Sequence, residues 1–128
     1  MGDKIPRPTD AELAILTVLW QRGPSTVRDV HEVLSATHDT GYTTVLKLLQ
    51  IMTDKGLVDR DESARAHIYV PRHSEQRTQR QLLGDLIDRA FRGSPAQLVM
   101  QALSATRASA EELTAIRQLL DRMEGDAK

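Results

Sequence analysis

Cysteine is absent from the 128 residues, which excludes a disulfide framework, thiolate metal sites and a cysteine nucleophile. Aromatic side chains are scarce, with one Trp, one Phe and two Tyr. The core must therefore be built from Leu, Val, Ile and Ala, for which an apolar content of 40 % is sufficient. No apolar run approaches the roughly 18 residues of a membrane span, and the first residues, MGDKIPRP, are not an apolar leader. A cytoplasmic, soluble protein is expected. A charge excess is missing too: 17 Lys and Arg stand against 18 Asp and Glu. DNA binders often carry a basic excess, so any contact with nucleic acid has to rest on local charge. Catalytic apparatus is not visible either. There is no Gly-rich phosphate loop and no nucleophile paired with a base, and the four His form no H-x-x-x-H pair. Neither an enzyme, a metal site nor a cofactor is expected.

What is present centres on residues 43–56, TTVLKLLQIMTDKG. Val45, Leu48, Leu49 and Met52 recur at i, i+3, i+4 and i+7, the apolar stripe of a helix. Thr43, Lys47, Gln50 and Asp54 fall on the opposite side. A helix needing only solubility would more often carry Glu–Lys pairs there. Thr, Lys and Gln can instead bond phosphate oxygens and base edges. Gly56 ends the helix where a left-handed residue is required.

Around this helix the elements follow in order. Thr9 and Glu12 form a capping box ahead of a helix over about Asp10–Gln21, whose Leu13, Ile15, Leu16, Val18, Leu19 and Trp20 predict deep burial. Gly23-Pro24 stops it, and Ser25 or Thr26 caps a second helix striped by Val27, Val30, Val33 and Leu34. After Gly56, residues 57–60 and 67–70 read as two strands joined by the polar tip DESARA. Helix, helix, helix, then hairpin is the order of a winged helix-turn-helix, so the fold class is mainly α with a β-hairpin wing. A polar arm is expected over residues 1–8. Beyond His73 come three more helices: one to about Phe91, one opened by Ser94-Pro95, and one opened by the capping box Ser109–Glu112. Their apolar stripes include Leu82, Leu86, Phe91, Leu98, Leu113, Ile116 and Leu120. About 50 residues bury such stripes poorly alone. Residues 74–128 are therefore read as a helical homodimerisation domain, and residues 1–73 as a DNA-binding domain.

The stretches T9-D-A-E-L-A-I-L-T-V-L-W20, Tyr42-Thr43-Thr44-Val45, Lys55-Gly56-Leu57-Val58 and Ile68-Tyr69-Val70-Pro71, in this order and spacing, resemble the penicillinase-repressor (BlaI/MecI-like) family of bacterial transcription regulators. The resemblance covers about residues 8–123. It implies a homodimeric winged-helix repressor on a pseudo-palindromic double-stranded DNA operator, relieved by a signal. In the β-lactam-sensing relatives a membrane-bound metallopeptidase sensor leads to cleavage at an Asn-Phe pair in the tail. Gln101-Ala102 stands at the matching place here. Family members commonly have Thr at the position of Lys47 and Arg at that of Ile51, so no operator sequence carries over. The copper-sensing branch uses a cysteine-rich tail, which this chain lacks.

The expected DNA contacts are Thr43, Thr44, Lys47 and Gln50, with Lys47 able to reach a phosphate or guanine and Gln50 an adenine edge. Arg65 at the hairpin tip is a phosphate or minor-groove candidate, Lys55 and Arg72 are phosphate candidates, and Tyr42, read as just before the helix, is a packing residue whose surface hydroxyl is a further phosphate candidate. The rival function is a winged-helix adaptor for other proteins, because residues 1–73 hold 9 Lys and Arg against 10 Asp and Glu. For a DNA reader, positive charge should concentrate around Lys47, Lys55, Arg65 and Arg72.

Overall fold

Thr9 sets the start of the first helix. In the structure, a computed structural model describing residues 4–127, the Thr9 hydroxyl accepts from the Glu12 N–H and the Glu12 carboxylate accepts from the Thr9 N–H, closing the capping box of α1 (Asp10–Arg22). Thr26 and Asp29 build the same reciprocal cap on α2 (Val27–Leu34). Asp, one methylene shorter than the usual Glu, reaches the cap N–H at 3.1 Å. Helix α3 (Tyr42–Lys55) starts at Gly41, which offers no side-chain cap, and ends on Gly56 at φ 85°. Tyr42 is thus the first residue of α3 rather than the one before it.

Strands β1 (Val58–Asp61) and β2 (Ile68–Pro71) form the antiparallel hairpin, Val58 opposite Pro71 and Asp61 opposite Ile68. Each starts one residue later than the sequence pattern suggests. Leu57 is held back by the helix terminus, its N–H donating to the Met52 carbonyl at 2.9 Å. Ser25 bridges to Tyr69 through two main-chain bonds of 3.1 and 2.8 Å, tying the hairpin to the turn before α2.

The chain divides into two compact units, Met1–Gly84 and Asp85–Lys128. In the first, Ile15, Leu16 and Leu19 of α1, Val30 and Leu34 of α2, Val45, Leu49 and Met52 of α3, and Leu57, Val58 and Tyr69 form one core. Ile5 belongs to it, only 2 % exposed. Lys4–Pro8 therefore does not stand off as an arm: burial of Ile5 and Pro8 outweighs the polarity of their neighbours. Residues 1–3 of the expected arm lie outside the described residues. Trp20 is half-buried against the core, its indole N–H donating to the His73 carbonyl at 3.0 Å.

Helix α4 (Glu75–Ala90) opens in the first unit and continues into the second, ending where Arg92 and Gly93 take positive φ. Helix α5 (Pro95–Ala105) has Ser94 as N-cap and Pro95 in its first turn, and α6 (Ala110–Asp126) carries the Ser109–Glu112 capping box. In the second unit no described residue is buried. Leu86, Val99, Met100, Leu103, Leu113, Leu119, Leu120 and Met123 are all exposed large apolar side chains. None of the described helices is long and apolar enough to cross a membrane.

Candidate nucleic-acid interface

Helix α3 divides its surface as its sequence period requires. Val45, Leu49 and Met52 are completely buried, while Thr43, Thr44, Lys47 and Gln50 are exposed. Leu46 and Leu48, at the flanks, are half-buried and packed against the core, and Ile51 is 41 % exposed. The polar side chains are therefore borne on a cylinder that cannot roll without dragging three core residues into water. Because Gly41 provides no capping side chain, the first-turn N–H groups of α3 keep the positive end of the helix dipole uncompensated beside Thr43 and Thr44.

Tyr42 lines an open groove of about 500 Å³ together with Thr26, Val27, Arg28, Leu46, Arg65, Ala66, His67 and Tyr69. None of the lining residues is acidic. The groove brings the hairpin tip, the start of α2 and the start of α3 together. Tyr42 is 48 % exposed and meets the His31 ring edge to face, centroids 5.9 Å apart.

The basic side chains around α3 fall into two kinds. Lys47 and Arg65 make no ion pair among the described residues, whereas Lys55, Arg60 and Arg72 do. Lys55 Nζ lies 2.6 Å from Glu12 Oε1 and 3.4 Å from the Arg7 carbonyl. Arg72 donates through Nε and Nη2 to Asp59 Oδ1 at 2.9 and 2.6 Å. Sequence reading placed Lys55 and Arg72 among the phosphate candidates with Lys47. It could not see these partners, because Glu12 and Asp59 stand 43 and 13 residues away. Arg60 joins Glu62 at 3.7 Å, and His67 lies 3.8 Å from the same carboxylate, so the wing carries its own counter-charge. The Asp61 carboxyl is held below its ordinary range by the side-chain and backbone bonds from Ser63. Arg28, in the groove and missed by the sequence reading, pairs with Glu32 at 3.3 Å on a highly exposed face.

Of the side chains expected at a dimer interface, Leu86, Leu113 and Leu120 are 48, 38 and 50 % exposed, and Leu82, Phe91, Leu98 and Ile116 are half-buried. Among the described residues no three His, Asp or Glu converge on a common point suited to a metal ion.

A family model described as Penicillinase repressor matches residues 8–122. The Transcriptional regulator BlaI of Mycobacterium tuberculosis is 37 % identical over 122 residues, covering 94 % of this chain and 88 % of the relative. The Penicillinase repressor of Bacillus licheniformis is 25 % identical over 118 residues, 92 % of each chain. Among solved structures, the DNA-binding domain of the repressor BlaI aligns with a TM-score of 0.51 at 28 % identity, over 58 % of this chain and 90 % of that one. The monomeric form of Bacillus licheniformis BlaI in complex with the blaP half-operator aligns equally well, TM-score 0.51 at 29 % identity, over 57 % of this chain and 89 % of that one.

Proposed function

The chain belongs to the penicillinase-repressor family of DNA-binding winged-helix regulators, and from that premise we propose that two copies of it bind a pseudo-palindromic operator and repress transcription there. The observation that carries this reading is the division of α3: three fully buried side chains anchor it, and Thr43, Thr44, Lys47 and Gln50 stand outward together. Lys47 reaches a guanine edge or a phosphate, Gln50 an adenine, and the two Thr hydroxyls meet backbone where the free N–H groups of the first turn already favour an anion. Tyr42 and Arg65 bring the groove wall and the wing tip to the sugar-phosphate chain. Lys55 and Arg72, whose charges are engaged by Glu12 and Asp59, hold the reading helix and the wing in place and contribute little attraction of their own.

Dimerisation through residues 74–128 is supported by the exposed apolar side chains of α4, α5 and α6. A second copy would cover them and place two reading helices on one face of a duplex. Repression is lifted by a signal that releases the dimer or leads to cleavage of the tail, in the cytoplasm where the operator lies. If a membrane metallopeptidase sensor is the source, its protease must accept Gln101-Ala102, exposed on α5, in place of Asn-Phe.

Footprinting of the full chain on the DNA upstream of its own reading frame tests the proposal, and should show two symmetric protected half-sites. Affinity measured against salt should fall with a log–log slope of about −4, from about two free cations, Lys47 and Arg65, in each of two copies. A flat salt response with no protected sites would favour the protein-adaptor reading instead.

A further inference from the structure

We propose that Lys4–Pro8 is a strap, clasped to Gln81, that fixes the direction of α4 and thereby sets the half-site spacing the dimer accepts. This rests on the repressor reading and adds a positioning residue remote from the reading helix. The Ile5 N–H donates to Gln81 Oε1 at 2.8 Å, and Gln81 Nε2 donates back to the Ile5 carbonyl. One carboxamide thus satisfies both main-chain groups of a residue that is only 2 % exposed. A carboxamide sets its N–H donor and its carbonyl acceptor side by side on one rigid plane, and Asn, the other side chain with this group, is one methylene shorter.

The strap is stiff and held along its length. Pro6 and Pro8 fix their own φ and disfavour the helical region at Ile5 and Arg7. The Arg7 carbonyl accepts from Lys55 at the end of α3, and Thr9 then caps α1. Five residues therefore connect α4, the last turn of the reading helix and the start of α1. Without the clasp, α4 would be tied to the unit mainly near its first turn, by Trp20 on the His73 carbonyl and by the burial of Thr78. A helix held only near one end can pivot. Gln81 adds an anchor three positions beyond Thr78, about 4.5 Å further along the axis, while α4 itself continues to Ala90 into residues expected to pair. A shift of one base pair between half-sites changes their separation by about 3.4 Å and their relative rotation by about 35°. A pivoting root would absorb that change, and a clasped one would not.

The test uses the full chain and a palindromic duplex recovered by selection from a randomised library, compared with duplexes carrying one base pair more or fewer between the half-sites, and with a single half-site. The intact protein should bind the altered spacings at least about tenfold more weakly. Gln81→Ala should bind all three spacings within about twofold of one another, with half-site affinity unchanged. Gln81→Glu, which keeps the acceptor and loses the donor, should lose the preference in the same way. Retention of the full spacing preference by both variants would overturn the inference. So would an equal loss on the single half-site, which would make Gln81 a support of the reading unit alone. Failure of the intact protein to select any duplex would remove the repressor reading, and this inference with it.

Discussion

Lys55, the last residue of α3, places its Nζ 2.6 Å from Oε1 of Glu12, a carboxylate that is only 2 % exposed in the first turn of α1. The pair joins the end of α3 to the start of α1 through a side chain that also closes a capping box. Burial works to raise the Glu12 carboxyl, but hydrogen bonds from Lys55 and from the Thr9 N–H, with the Lys55 charge, outweigh it and hold the group below its ordinary value of 4.5.

Lys55→Ala leaves that carboxylate buried with only its Thr9 partner. It should destabilise the first unit by about 1–3 kcal/mol in urea at neutral pH, less than a fully buried pair because Lys55 is partly exposed. The pH sign follows from the lowered value. The folded state binds this proton less readily than the unfolded chain, so the stabilisation is complete above 4.5 and is lost as pH falls through the folded value. The deficit of Lys55→Ala should therefore be largest near neutral pH and shrink as pH falls below 4.5. Equal urea midpoints for the two proteins at neutral pH would show that the pair contributes nothing.

Lys47→Ala removes an exposed side chain with no ion pair. Thermal unfolding and self-association should be unchanged, while affinity for a footprinted duplex drops by about 1–3 kcal/mol if Lys47 reads a base. If the loss is uniform across sequences and the salt slope shrinks by about one for each copy, the contact is to phosphate. Unchanged anisotropy titrations would move recognition away from the centre of α3.

Leu120→Asp substitutes a charge on an α6 side chain that is 50 % exposed in the single chain. Its effect on folding of the first unit should be negligible. Sedimentation should show a monomer, with full-operator affinity falling about a hundredfold, toward that of a half-site. A stable dimer would place the self-association surface elsewhere.

Gly56→Ala meets two obstacles. The residue has φ 85°, and a Cβ there would lie 2.8 Å from Arg72 Nη1. The guanidinium is the far end of a flexible side chain and will move, loosening its bond to Asp59. A loss of about 1–2 kcal/mol is expected by chemical denaturation. Asp59→Ala combined with Gly56→Ala should be less than additive, since both act through Arg72.

Much of the fold was legible because its signals are local. Capping boxes need only two residues three apart, the α3 stripe repeats within a turn or two, and Gly56 marks a conformation rare for other residues. The family pattern rests on the same short stretches. What distant residues supply was not legible. Nothing within reach of Lys55 in the chain announces Glu12, nothing near Ile5 announces Gln81, and polarity with two prolines reads residues 1–8 as an arm. The outward set on α3 was readable from helical geometry. Which neighbouring cations remain free was not, because that depends on carboxylates brought in by the hairpin and by α1.

The internal neutralisation of Lys55, Arg60 and Arg72 bears on how a DNA reader of this kind would discriminate. A surface with so few unspent charges gains little from an arbitrary stretch of chromosome, so most of its hold on a true target must come from base edges and groove shape. A few mismatched base pairs would then suffice to set it loose, and the genome at large would sequester few copies.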